Sequence, residues 1–158
     1  MPTLKQKVAL ITGVSRRKSI GFAISETCAR AGIHLVLHSY CEYDKSMGQK
    51  VAVNELEHIK VNLEKYNIQM KQFNLDFNLP ASPTVLFKES RKSFDHIDIL
   101  ILNHTHDSLT SIYDLDADEI DKHLAVNIRA SLLLIKNFIE QHDGREGGRI
   151  ILLTSGQH

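Results

Sequence analysis

The chain has 158 residues, 42% of them hydrophobic and 24% charged, with 19 Lys+Arg balanced by 19 Asp+Glu. That composition fits one globular domain over residues 1–158 with a single core, and the even charge gives no reason to expect nucleic acid or a membrane surface as partner. No apolar run approaches the roughly 18 to 20 residues that cross a bilayer, the N-terminus lacks the apolar core of a signal peptide, and Cys28 and Cys41 form no C-x-x-C pair. A reduced, cytoplasmic setting is the expectation.

The apolar run Lys7 to Ile11 reads as a strand and leads directly into Thr12-Gly13-Val14-Ser15-Arg16-Arg17-Lys18-Ser19-Ile20-Gly21. Ile20 to Arg30 repeats its apolar residues at helical spacing, and Gly32 stands where a C-terminal cap belongs. Ile33 to Leu37 reads as a buried strand. Met47 to Tyr66 carries Met47, Val51, Leu56, Ile59, Leu63 and Tyr66, which predicts a helix. Ile68 to Leu75 alternates as a strand does. Pro83 to Phe94 is a helix with Pro near its first turn, where the missing N–H costs little. His96 to Leu102 is a strongly apolar strand. Asp116 to His142 reads as one long helix that admits a break near its start. Gly147-Gly148 marks a turn before a last strand, Arg149 to Thr154.

Five strands alternating with helices predict an α/β fold, a doubly wound parallel sheet with helices on both faces. Right-handed crossovers favour the strand order 3-2-1-4-5. That order places a ligand crevice at the carboxyl ends of strands 1 and 4, where the winding reverses. The polar segment 103–115 follows strand 4 and faces that crevice.

A glycine-bearing turn between a strand and a helix cradles an anion, because backbone N–H groups and the open helix N-terminus converge there. A P-loop would require G-x-x-x-x-G-K-[ST]. Counting from Gly13, the second glycine position is Lys18, and strand 4 ends in Asn103 rather than in an acid suited to Mg²⁺. A receiver-type fold would place paired acids after strand 1, where Thr12 and Gly13 stand. A plain turn joining strand to helix is the remaining alternative for the loop taken alone.

Other residues extend the pattern in order. Thr12-Gly13, followed by Ser19-Ile20-Gly21, resembles the T-G-x-x-x-G-x-G loop of the short-chain dehydrogenase/reductase family. Asp76, after strand 3, resembles the acid that contacts the adenine ring in that family. Asn103 resembles the first Asn of its N-N-A-G segment, and Asn127, in Ala125-Val126-Asn127, the Asn that helps organise its active site. Gly148 to Ser155 resembles its fifth strand, with Ser155 at the catalytic serine. The resemblance implies a Rossmann-like fold and hydride transfer between a nicotinamide dinucleotide and a small carbonyl or alcohol. It assigns Ser155 and Asn127 to catalysis. It assigns Thr12, Gly13, Ser15, Arg16, Arg17, Ser19, Ile20, Gly21, His38, Asp76 and Asn103 to the cofactor.

The departures from the family pattern carry their own expectations. The loop is two residues longer, and Ser19 replaces its middle glycine; a Cβ at positive φ would cost about 1 kcal/mol, while the hydroxyl offers a contact to phosphate. Strand 2 ends in His38-Ser39-Tyr40 with no immediate acid to hold a ribose 2′-OH. Together with Arg16 and Arg17, whose guanidinium groups suit a 2′-phosphate, this favours NADP, with NAD the alternative. His104 and His106 lack a nearby third ligand in the sequence, so no metal is expected.

Tyr-x-x-x-Lys, which supplies the proton donor in the family, does not occur: Tyr40, Tyr43, Tyr66 and Tyr113 are followed at +4 by Asp44, Met47, Met70 and Ala117. The sequence therefore resembles the N-terminal portion of a family member, catalytically incomplete as it stands. Two alternatives remain: an oxidoreductase of which this is a part, or a non-catalytic nucleotide-binding or interaction module. The helix 116–142 is apolar on more than one face, and its family counterpart forms a subunit interface, so a homo-oligomer is expected.

Overall fold

A computed structural model describes residues 4–49, 52, 54–108 and 110–154. Five strands, β1 (Val8–Ile11), β2 (His34–Ser39), β3 (Met70–Asn74), β4 (Ile99–Leu102) and β5 (Arg149–Leu152), form one sheet in the order β3-β2-β1-β4-β5. Every neighbouring pair is parallel. The expected fold class and strand order are both observed. The central registers set Leu10 beside Val36 and Leu100.

Alternation along the strands splits the core in two. Val8, Leu10, Val36, Leu100 and Leu102 point to one face, where they meet Leu86, Phe87, Leu134 and Phe138. Ala9, Ile11, Leu35, Leu37 and Ile101 point to the other, where they meet Ala29, Ile59 and Leu63. One face is thus covered by α1 (Ile20–Arg30) and α3 (Glu55–Glu64), and the other by α4 (Ser82–Arg91) and α6 (Ser131–Glu140). Strands buried on both sides read as continuous apolar runs, which is why β1 and β4 were evident in the sequence. Leu35 and Leu100 are fully buried, whereas Ile151 and Leu152 on the edge strand β5 are 47% and 55% exposed.

One expectation is corrected and one refined. The helix expected over 47–66 is confined to α3, and a separate short helix, α2 (Cys41–Ser46), precedes it. Gly48 ends α2 at φ +69, and the N–H groups of Met47, Gly48 and Gln49 turn back on Tyr43, Lys45 and Asp44. Only a residue without a Cβ takes that backbone freely, and none of the described residues between Met47 and Asn54 is helical, so the periodicity read from Met47 has a helix behind it only from Glu55. Residues 50, 51 and 53 lie outside the described residues. The long helix after Asp116 is α5 (Ala117–His123), a π-helical stretch Leu124–Ala130, and α6. Asp116 caps it, its carboxylate accepting the Glu119 N–H at 2.8 Å. Among the described residues, no helix is long and apolar enough to cross a membrane.

Candidate functional site

The winding reverses between β1 and β4, and a crevice of about 1000 Å³ opens at their carboxyl ends. Its floor is stitched by one side chain from each strand. Asn103, just past β4, donates from Nδ2 to the carbonyls of Thr12 and Gly13, both at 3.0 Å. Thr12, fully buried, accepts at Oγ1 from the N–H groups of Asn103 (3.0 Å) and His104 (3.2 Å).

Gly13 and Gly21 meet face to face above that stitch. A Cβ on Gly21 would fall 2.5 Å from the Gly13 carbonyl oxygen and 2.8 Å from Asn103 Nδ2. Gly13 itself sits at φ +73. Loop and helix therefore approach as closely as backbone allows, and the first turn of α1 (Ser19, Ile20, Gly21) lines the crevice. Ser19 is the N-cap at φ −144, accepting the Phe22 N–H at 3.2 Å and donating to the Arg16 carbonyl at 2.7 Å. The strain expected of a Cβ at this position is absent, because the longer loop brings Ser19 in with extended backbone.

The basic residues separate. Arg16 lines the crevice, held by Asp44 Oδ1 at 2.7 Å and Gln49 Oε1 at 3.2 Å. Arg17 is outside the lining: Nε and Nη2 both bond the Glu55 carboxylate, which also takes the Arg17 N–H at 2.7 Å. The Arg17 guanidinium holds Glu55 below the usual carboxylate range. Lys18 lines the crevice instead.

On the β2 side, His38 is buried, stacked on Phe77 at 3.8 Å between ring centroids. Its Nε2 donates to the Leu75 carbonyl at 2.9 Å, which leaves Nδ1 to accept the Gly13 N–H at 3.4 Å. Burial pushes its pKa down to about 3, so the ring is neutral. His104 is likewise neutral, lowered to about 4 by burial. Its Nε2 donates to the Val126 carbonyl in the π-helical stretch at 3.0 Å, and its Nδ1 accepts the Thr12 hydroxyl at 2.8 Å. Ser15 accepts the Tyr40 N–H at 3.2 Å. Asp76 lines the same end of the crevice, within reach of the Tyr40 hydroxyl, and takes the Asn78 N–H at 2.7 Å.

The opposite rim is the loop after β4. Asn127, from the π-helical stretch, clamps its backbone at two points: Oδ1 accepts the His106 N–H at 2.7 Å and Nδ2 donates to the His106 carbonyl at 2.9 Å. Tyr43 of α2 reaches across to this loop, its hydroxyl donating to the Asp107 carbonyl and accepting the Asp107 N–H. Sequence spacing gave no sign of that bridge, which joins residues 64 positions apart. His104 and His106 do not share a site: the first turns to Thr12, the second to Glu119 on α5. Ser155 lies outside the described residues.

Comparison with known proteins agrees with this geometry. Residues 7–158 match the family model described as short chain dehydrogenase. The chain is 28% identical over 155 residues to the oxidoreductase YjdA of Bacillus subtilis, covering 97% of this chain and 58% of that protein. It matches L-sorbose reductase of Gluconobacter frateurii, solved with NADPH and L-sorbose, at TM-score 0.80 and 26% identity over 96% of this chain and 54% of that one. A short chain dehydrogenase of Burkholderia cenocepacia in complex with NADP gives TM-score 0.80 and 25% identity over 96% and 56%. The chain spans little more than half the length of the relatives it matches. A match over nearly all of its residues, on the sheet order and glycine-lined crevice described above, shows that the chain belongs to the short-chain dehydrogenase/reductase family.

Proposed function

We propose that this chain forms the cofactor-binding part of an oxidoreductase that interconverts a carbonyl and an alcohol with NADP(H). The carrying observation is the contact between Gly13 and Gly21 over Asn103, a cradle that any Cβ would fill. It leaves the first turn of α1 open to a pyrophosphate, with Ser19 shaping the turn. When bound, the nicotinamide supplies or takes the hydride. Thr12, Gly13, Ser15, Ile20 and Gly21 form or brace the phosphate cradle, and Asn103 holds its floor. His38 supports Gly13 from beneath, and Asp76 serves the adenine end. Asn127 positions the rim loop, and Ser155 is assigned to the substrate oxygen.

The preference for NADP rests on Arg16, which lines the crevice beside Lys18. In this reading Arg16 exchanges Asp44 for a 2′-phosphate, a stronger partner for a guanidinium. Arg17, held by Glu55, acts through loop shape. The solved relatives from Gluconobacter and Burkholderia carry NADPH and NADP respectively.

Titration of the purified chain with NADPH and NADH, followed by nucleotide fluorescence, tests the reading. Losing a charge-assisted contact is worth about 10- to 100-fold in affinity, so Arg16→Ala is expected to weaken NADPH by that factor and NADH little. Equal loss for both cofactors counts against the preference. Absence of binding at millimolar cofactor rejects the proposal. The 158 residues alone, without Tyr-x-x-x-Lys, are expected to oxidise no NADPH with any carbonyl.

A further inference from the structure

We propose that His106, Glu119 and His123 form a binding site for one divalent transition-metal ion, Zn²⁺ or a similar borderline cation. Each residue offers one ligand atom, and the three atoms lie within 4.8 Å of one another. Glu119 and His123 are four apart on α5, so they share a helix face. His106 is delivered from the rim loop by the two-point clamp of Asn127 on its backbone.

The separations suit an ion. His123 Nε2 stands 3.5 Å from Glu119 Oε1, and His106 Nε2 stands 2.8 Å from the same oxygen. Bonds of about 2.0 to 2.2 Å in a tetrahedral site put neighbouring ligand atoms roughly 3.4 Å apart. The Glu119–His123 pair is at that spacing already. The Glu119–His106 pair must open by about half an ångström, exchanging one hydrogen bond for two bonds to the ion.

Chemistry and position agree. Two imidazoles and one carboxylate form a donor set suited to Zn²⁺, Co²⁺ or Fe²⁺ and poorly suited to Mg²⁺ or Ca²⁺. Lys122 Nζ, 3.4 Å from Oε2, leaves Oε1 as the coordinating oxygen. Both rings would bind through Nε2 with the proton on Nδ1. His123 Nδ1 faces the Asn127 Nδ2 amide at 3.4 Å, so placing the proton there gives up that long contact and requires a small turn of the ring, while the shorter Asn127 bond to the His106 carbonyl is kept. Side-chain exposures of 15%, 15% and 34% for His106, Glu119 and His123 leave a side open for a water as fourth ligand. A bound ion would tie the crevice rim to α5.

The test uses the tag-free chain titrated with Zn²⁺ by calorimetry, and with Co²⁺ by its visible absorption. One equivalent is expected to bind with imidazole-type Co²⁺ spectra and a raised Tm. Removing an outer-shell partner of a metal site typically costs 10- to 100-fold, so losing a ligand in His106→Gln, Glu119→Gln or His123→Gln should cost at least about 100-fold. His58→Gln, on an exposed histidine of α3, should bind as the parent does. If Glu119→Gln fails to fold by circular dichroism, His123→Gln decides the matter. No stoichiometric binding, or binding unchanged in His123→Gln, overturns the proposal. Either result is read apart from the cofactor titration through Glu119→Gln and His123→Gln, which lie outside the crevice lining, whereas His106 lines it.

Discussion

At Gly21 the absence of a single carbon decides whether the crevice can form. A Cβ there would press on the Gly13 carbonyl at 2.5 Å and on Asn103 at 2.8 Å, so Gly21→Ala is expected to destabilise the chain by about 1 to 3 kcal/mol through overpacking. Urea denaturation measures that loss, and NADPH binding should fall with it. His38 makes a second residue-scale prediction. Its folded pKa lies near 3 against 6.5 in the unfolded chain. The unfolded chain therefore takes up a proton that the folded state refuses. His38's contribution is fully present above about pH 6.5 and is lost as pH falls toward 3, by about 2 kcal/mol at pH 5. Urea midpoints measured across this window should show a shallower acid slope in His38→Gln, by close to one proton. The glycine spacing was legible in the sequence because a missing side chain is a local property. The neutrality of His38 was not, because it depends on Phe77 and on the Leu75 carbonyl.

Among the elements, α1 is the one the sequence delimits best, through its apolar spacing and the Gly32 that follows it. Its start is held by Ser19, whose hydroxyl accepts the Phe22 N–H from extended backbone, capping chemistry that the reading of Ser19 as a phosphate contact left out. Ser19→Ala is expected to cost about 1 kcal/mol and Ser19→Gly only a few tenths, again by denaturant titration. A glycine variant more stable than the parent would show instead that the loop requires backbone freedom at this position and not the cap. The second helical region was misread because periodicity carries no information about interruptions. Gly48 stops α2 through a left-handed backbone, and α3 starts only at Glu55, which binds Arg17 across 38 positions. The π-helical stretch 124–130 was equally hidden, since its residues have the same apolar spacing as a helix.

For the whole molecule, the stripe Ile120, Leu124, Ile128 and Leu132 runs along the α5–α6 arm at four-residue spacing, each 43–60% exposed. Such a row on one side of a continuous arm is suited to packing against its own copy. Light scattering after gel filtration is expected to find an oligomer, and Ile128→Asp with Leu132→Asp to shift it to monomer; a monomeric parent at high micromolar concentration would refute this. The sequence by itself determined the α/β alternation, the strand order, the glycine loop and the family. The alternation follows from local propensity and from apolar runs that only a doubly covered parallel sheet can bury, the strand order from right-handed crossovers, and the family from the resemblance of motifs met in order along the chain. Tertiary structure decided which charges reach the crevice. Arg16 and Lys18 line it while Arg17 turns to Glu55, and His106 leaves its neighbour His104 to meet Glu119 and His123. Those outcomes depend on partners between 13 and 38 positions away, and residue type alone does not say which partner the folded chain will bring within a hydrogen bond.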